Sequence, residues 1–377
     1  MCNIAATAAS NGDGGCFRQA DRWLIQPHII EATWTGAPTG NFHISSDRFW
    51  NDEIGNAPLL QRGWVLQERV LTPRNLHFSS HQMFWECREH IACETYPNGL
   101  PLMPIDMVGH PTIDLKARLP VSPGDHCFSE PGDRLGVRFF WDMITMAYSR
   151  LALTKPEDKL VAVSGVAKHI QPFLGDRYLA GLWLGDLPLR LLWHVNSGTK
   201  SARPITYRAP SWSWASIDAD IFPGPGRGID VMATKLLEAS TKTLSGNPTG
   251  QVVDGYLRLR GPLKRMNFRH RPYGPLSYRS FKVEINHQVI TPYIYLDCES
   301  DTFDNLHLLV VLLGQNHGLL EGILLQPTGI VPGQFRRCGT MAVLDEEDYA
   351  VVVHEFEDPG LQFEEYYGAG NYIISII

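Results

Sequence analysis

The chain has 377 residues, 44% hydrophobic and 19% charged, enough apolar material for a large core and for two domains, which excludes disorder as a whole. Its 40 Asp and Glu against 33 Lys and Arg give a net charge of -7, but nine of those acids follow Cys338 in a stretch without Lys or Arg, so the remainder is nearly neutral. With no run of five or more bases either, nucleic acid and anionic membrane are set aside as partners.

The seven cysteines (2, 16, 87, 93, 127, 298 and 338) are odd in number and irregularly spaced, which argues against a disulfide framework and for a reducing compartment. Met1 to Ser10 lacks the basic and apolar regions of an export signal. The longest aliphatic run, Leu308 to Leu313, falls far short of the roughly 20 residues that span a bilayer. A cytoplasmic protein is expected.

In chain order, Asn56 before Pro58 predicts a helix start, with Leu60, Trp64, Gln67 and Leu71 on one stripe until Thr72-Pro73 stops it. Pro97 to Pro131 reads as a long loop. Phe140, Ile144, Ala147 or Tyr148, and Leu151 predict a second helix, and the capping box Thr154-Lys-Pro-Glu157 a third, through Leu160, Ser164, Ala167 and Ile170. Asp186-Leu-Pro188 opens a fourth, running to about Val195. Trp212-Ser-Trp214 alternates as a short strand, with both indoles on one face. Phe222-Pro-Gly-Pro-Gly-Arg-Gly228 marks a linker. Beyond it, Tyr256 to Arg260, Phe281 to Ile285, Tyr293 to Leu296, Leu306 to Leu313, Gly322 to Gln326 and Tyr349 to His354 are strand-like. All ten tryptophans precede residue 215, which points to two different cores. The expected fold is therefore α+β, a Trp-rich, mainly helical N-terminal domain followed by a β-rich C-terminal domain. Its boundaries are placed at 1–96, a loop over 97–131, a helical region over 132–221 and a β-rich domain over 229–377. The acids of the tail are expected on a solvated strand face.

Chemistry-bearing motifs are sparse. Cys87-x2-His90-x2-Cys93 places three soft ligands within seven residues, but the spacing fits structural zinc sites poorly, and no metal is expected. Ser164-Gly165 lacks the glycine of a nucleophile elbow, and Gly12-Asp-Gly-Gly15 lacks the Gly-Lys-Ser/Thr of a phosphate loop. No cofactor is expected. The densest polar cluster runs from Arg62 to Arg74, with Gln67 on the apolar stripe and Gly63 where another chain segment approaches. Two readings stand: Glu68 and the arginines form a structural network, or Arg62, Trp64, Gln67, Glu68 and Arg74 line a binding site. Likewise, Trp212 and Trp214 either anchor a domain junction or floor a pocket.

Arg62-Gly-Trp-Val-Leu-Gln-Glu-Arg-Val-Leu-Thr-Pro-Arg74, Leu76-His-Phe78 and Met83-Phe-Trp-Glu-Cys-Arg88 resemble the segment that follows the HET domain in fungal heterokaryon-incompatibility (HET) proteins. Cys2-Asn-Ile-Ala-Ala-Thr7 with Gly14-Gly-Cys-Phe17 resembles the end of that domain. Tyr148 to Thr154, Asp158 to Gly165, Tyr178 to Trp183, Arg208 to Ala215, Gly255 to Pro262 and Gly333 to Arg337 resemble the regions beyond it. The family's upstream Ala-Leu-Ser-Tyr-x-Trp-Gly and Trp-Ile-Asp-x-Leu-Cys-Ile-x-Gln motifs do not occur here, so most of the HET domain is expected to be missing. With it would go any NAD-cleaving surface of its Toll/interleukin-receptor-like fold.

The resemblance implies a protein of a filamentous fungus that acts by protein interaction in non-self recognition or programmed cell death, without catalysis. The alternative expectation is an enzyme or accessory protein of a fungal secondary-metabolite pathway, its aromatic side chains lining a pocket for a hydrophobic small molecule.

Overall fold

A computed structural model describes the chain except for residues 20–22, 24, 34, 37–38, 45–48, 101–114, 122–133, 197, 226–230, 271–280, 299–300, 302–304, 315–318 and 355–357, and the side chains of 32, 43, 44, 269 and 270. Most of the expected 97–131 loop and part of the expected 222–228 linker therefore lie outside the described residues. The chain divides into two compact units, one made of Met1–Thr154 with Lys168–Leu174, the other of Lys155–Ala167 with Gly175–Ile377.

In the first unit, β1 (Asn3–Ala5) runs parallel to β2 (Arg74–Phe78), which pairs antiparallel with β3 (Met83–Cys87), and β3 with β4 (Ile91–Cys93). The helix α1 (Gly63–Leu71) leads directly into β2. It starts five residues later than the sequence predicts. Pro58–Gln61 forms a separate 3-10 turn, and Arg62 is extended at φ -92°, ψ 127°. The cause is a second strand segment: Gly63 N donates to Ala152 O and Ala152 N to Gln61 O, both at 2.8 Å. A Cβ on Gly63 would lie 2.7 Å from Leu153 Cδ2, so a larger residue there would have to displace the Leu153 side chain where these segments meet. Trp50, Ile54, Leu60, Phe84 and Cys93 form a buried cluster in this unit. The second predicted helix is α2 (Arg134–Ser149), whose Val137, Phe140, Trp141, Ile144 and Tyr148 are buried.

The second unit centres on a closed ring of five strands. The strand β5 (Lys235–Thr243) lies on β6 (Val252–His270), which is 19 residues long and shared among several partners. The ring runs from β6 to β7 (Leu306–Leu313), β8 (Leu320–Pro327) and β9 (Gln334–Val343), all antiparallel. It then passes in parallel to β10 (Asn371–Ile376) and antiparallel back to β6. Closure removes the sheet edges and encloses one face, and Phe281, Val283, Ile285, Ile290 and Val352 cluster with Leu306, Leu308 and Val310, so both faces of β7 are buried and Leu306–Leu313 reads as a continuous aliphatic run and not as an alternation. Met266, Leu306, Leu308, Val310, Leu320, Leu324 and Met341 fill one buried cluster beside it.

The structure corrects the expected fold class. Strand takes 36% of the residues against 23% helix, and the N-terminal part is β-rich, not mainly helical. The predicted third helix is regular only over α3 (Ser164–Leu174), preceded by two single 3-10 turns. The predicted fourth is one 3-10 turn, Leu189–Leu192, followed by a two-residue strand. Trp212-Ser-Trp214 is a turn entering a 3-10 segment, Trp214–Ser216, and not a strand. In the acidic tail, Tyr349 to His354 is not a strand. It belongs to α4 (Glu346–Val353), whose start is capped by Asp345 accepting from Glu347 N and Asp348 N at 2.9 and 3.1 Å. Three acids in the first turn face the positive end of the helix dipole, which outweighs the β-branched Val351 to Val353. No helix among the described residues is long and apolar enough to cross a membrane.

Candidate functional site

The sheet and α1 of the first unit enclose a polar network. On β2 and β3 the buried positions include Asn75, His77 and Glu86, while Leu76 and Phe78 face partly outward. Glu86 accepts from Arg69 Nη2 at 2.7 Å and Nε at 2.9 Å, and from Asn75 Nδ2 at 2.9 Å. Burial works against the charged carboxylate, but the Arg69 charge and the hydrogen bonds of His77 and Arg69 outweigh it, holding Glu86 well below the usual carboxylate range. His77 Nε2 lies 3.3 Å from Glu86 Oε2, and its Nδ1 lies 3.0 Å from Thr7 Oγ1. Hydroxyl, imidazole and carboxylate thus stand in the order of a nucleophilic relay. At 0%, 1% and 0% exposure for Thr7, His77 and Glu86, however, the hydroxyl meets protein and not substrate. Lys116 completes the network, its Nζ donating to the carbonyls of Arg69 and Thr72 at the end of α1.

This network sorts the residues singled out in the sequence. Gly63, Leu66, Arg69 and Val70 point inward, whereas Arg62, Trp64, Glu68 and Arg74 are exposed and Gln67 is half-buried. Among the described residues, the side chains of Arg62, Glu68 and Arg74 make no hydrogen bond or ion pair. The charged pair that ties α1 down is Arg69 with Glu86, not Glu68 with an arginine. The sequence contained a signal for it: Trp85-Glu-Cys87 places a carboxylate inside an otherwise apolar strand.

Trp212 and Trp214 lie in the second unit, buried to 0% and 1% exposure. Trp214 Nε1 donates to Gly181 O at 3.0 Å, and Trp193 Nε1 donates to Trp212 O at 2.9 Å. Gly181 has φ +97°, and a Cβ there would stand 2.7 Å from Trp214 Nε1. Both indoles belong to the packed interior. Beside them Arg337, fully buried, donates Nη1 to Asp297 at 2.5 Å and Nε to Leu191 O at 3.2 Å, with its guanidinium 3.5 Å from the Trp193 ring centroid.

Over this core opens a cleft of about 620 Å³, lined by Arg203, Tyr207, Ser211, Asp254, Gln326 and Arg336 among others. Arg203 donates Nε and Nη2 to Asp301 at 3.1 and 2.7 Å, and Arg336 donates Nε to Gln326 Oε1 at 2.9 Å. Burial and the charge of Asp254 push the Tyr207 phenol up to about 12, so it remains a hydroxyl donor. The cleft is not legible as a sequence motif because its residues come from four distant stretches, 203–216, 254–255, 326–336 and 377. The Arg336-Arg337 doublet in a strand was the available signal.

Among the described residues no three His, Cys, Asp or Glu side chains are placed to hold a metal ion. Cys87 and His90 are joined through backbone, Cys87 N to His90 O at 2.9 Å, and burial pushes the Cys93 thiol up, which keeps it protonated. Comparison of the chain with protein-family models, with curated proteins and with solved structures finds no match.

Proposed function

We propose that this chain is a HET-type protein of a filamentous fungus that works by binding another protein in non-self recognition or programmed cell death, without catalysis of its own, and that the binding surface is the outer face of α1. The observation that carries the reading is Trp64. It is 38% exposed on a helix whose other face is locked inward, in a segment that also exposes Arg62, Glu68 and Arg74, whose charges are unpaired among the described residues. An aromatic anchor flanked by free charges is the composition of an interface hot spot.

The placement of the quoted segments supports the same reading. Cys2 to Thr7, Arg62 to Arg74, Leu76 to Phe78 and Met83 to Arg88 meet as β1, α1, β2 and β3 of one unit. A photo-reactive amino acid at position 64, expressed in fungal cells, should give a discrete protein adduct. The same group at Leu244, more exposed and on the second unit, should not. Identical adducts from both positions would reject α1 as the surface.

A further inference from the structure

We propose that the cleft of the second unit binds a small amphipathic carboxylate, its carboxylate held by Arg203 and Arg336 and its apolar body resting on Pro204, Tyr207 and Pro327. This site is independent of the α1 surface. The two guanidiniums share the buried acid Asp301, at 2.7 Å from Arg203 Nη2 and 3.6 Å from Arg336 Nη2, and Arg203 Nη2 also lies 3.8 Å from Asp297, which is itself paired with Arg337. Each guanidinium is pinned through its Nε and Nη2 edge, Arg203 by Asp301 and Arg336 by Gln326 Oε1. Neither Nη1 has a partner among the described residues. Three arginines, Arg203, Arg336 and Arg337, face two carboxylates, Asp297 and Asp301, and a ligand carboxylate between Arg203 and Arg336 relieves the remaining repulsion with charge-assisted hydrogen bonds. Because both forks are already fixed, little side-chain entropy is lost when it arrives.

The rest of the cleft narrows the ligand. About 620 Å³ is the size of a small-molecule site, larger than an inorganic anion needs, and prolines 204 and 327 with the Tyr207 ring supply apolar wall. Among the described residues Asp254 is the one acidic side chain in the lining, with Oδ1 accepting from Gly255 N at 2.8 Å. It disfavours a second negative charge on the ligand, so the ligand is a monoacid.

The test titrates the full chain by fluorescence with dansylglycine, which carries a carboxylate on an aromatic body, and with dansylamide, which has the same body without it. Saturable binding at least about tenfold tighter for dansylglycine is expected. Arg336→Gln, at the cleft rim, should erase that preference, and Asp254→Asn should tighten dansylglycine while leaving dansylamide unchanged. Equal affinities for the two probes, absence of saturable dansylglycine binding, or a preference that survives in folded Arg336→Gln would overturn the proposal. Should Arg336→Gln fail to fold, the comparison of probes on the unaltered chain and the Asp254→Asn response still decide it.

Discussion

The side chains of Arg69 and Glu86 face each other inside the first unit in a three-bond contact, Nη2 to Oε1 at 2.7 Å and Nε to the two oxygens at 3.1 and 2.9 Å. Removing one partner strands the other's charge in the interior. Arg69→Met should therefore lower stability by about 3–5 kcal/mol, and the double substitution Arg69→Met with Glu86→Met should recover much of that loss. Urea unfolding of the three proteins checks this. A single variant within about 0.5 kcal/mol of the unaltered chain, the range of ordinary surface changes, would contradict the network.

Lys116 gives a pH signature. Burial pushes its amine down to about 8 from an ordinary 10.5. Between those values the unfolded chain holds a proton that the folded chain has released, so stability rises with pH through that window and is flat below it. The gain is at most about 3 kcal/mol. Lys159, also pushed down to about 8 by burial, adds a rise of the same sign. Stability measured from pH 7 to 10.5 should climb less steeply in Lys116→Met than in the unaltered chain. Parallel curves would show that the amine is not desolvated.

On the acid side, burial pushes His307 and His194 down to about 4 from 6.5. The unfolded chain takes up these protons first, so the stability that is complete above pH 6.5 falls as pH drops toward 4, by up to about 3 kcal/mol for each imidazole. His307→Leu should flatten the curve over pH 4 to 6.5. An unchanged slope would contradict the assignment.

Trp214→Ala should cost about 3–5 kcal/mol, because it empties a fully buried site and leaves Gly181 O without its donor. Thermal unfolding that matches the unaltered chain would place the indole outside the core.

The second unit was partly legible in the sequence because its strands are apolar. Tyr293 to Leu296 and Leu306 to Leu313 coincide with observed strands. In the first unit the pattern is inverted. In Arg74 to Phe78 the buried positions are the polar Asn75 and His77, and in Met83 to Cys87 one is Glu86, so a hydrophobic alternation read there points to the wrong face. The candidate residues of α1 present the same difficulty. Glu68 and Arg69 are adjacent in sequence and equally polar, and only the register that sets Asn75 against Glu86 shows which of the two turns inward. Trp212 and Trp214 alternate like a strand but sit in a turn, because Ser213 Oγ accepts from Ala215 N at 3.0 Å and caps the short 3-10 segment.

In the function proposed here, the Arg62 to Arg74 segment builds the fold with one face and binds a protein with the other. Trp64→Ala tests it most directly, in a filamentous fungus expressing the full chain, with hyphal viability and thermal unfolding measured on the same variant. The unaltered chain should trigger growth arrest, Trp64→Ala should abolish the arrest, and the variant should unfold within about 0.5 kcal/mol of the original. Arrest that persists in Trp64→Ala, or a loss of arrest accompanied by unfolding, would contradict it.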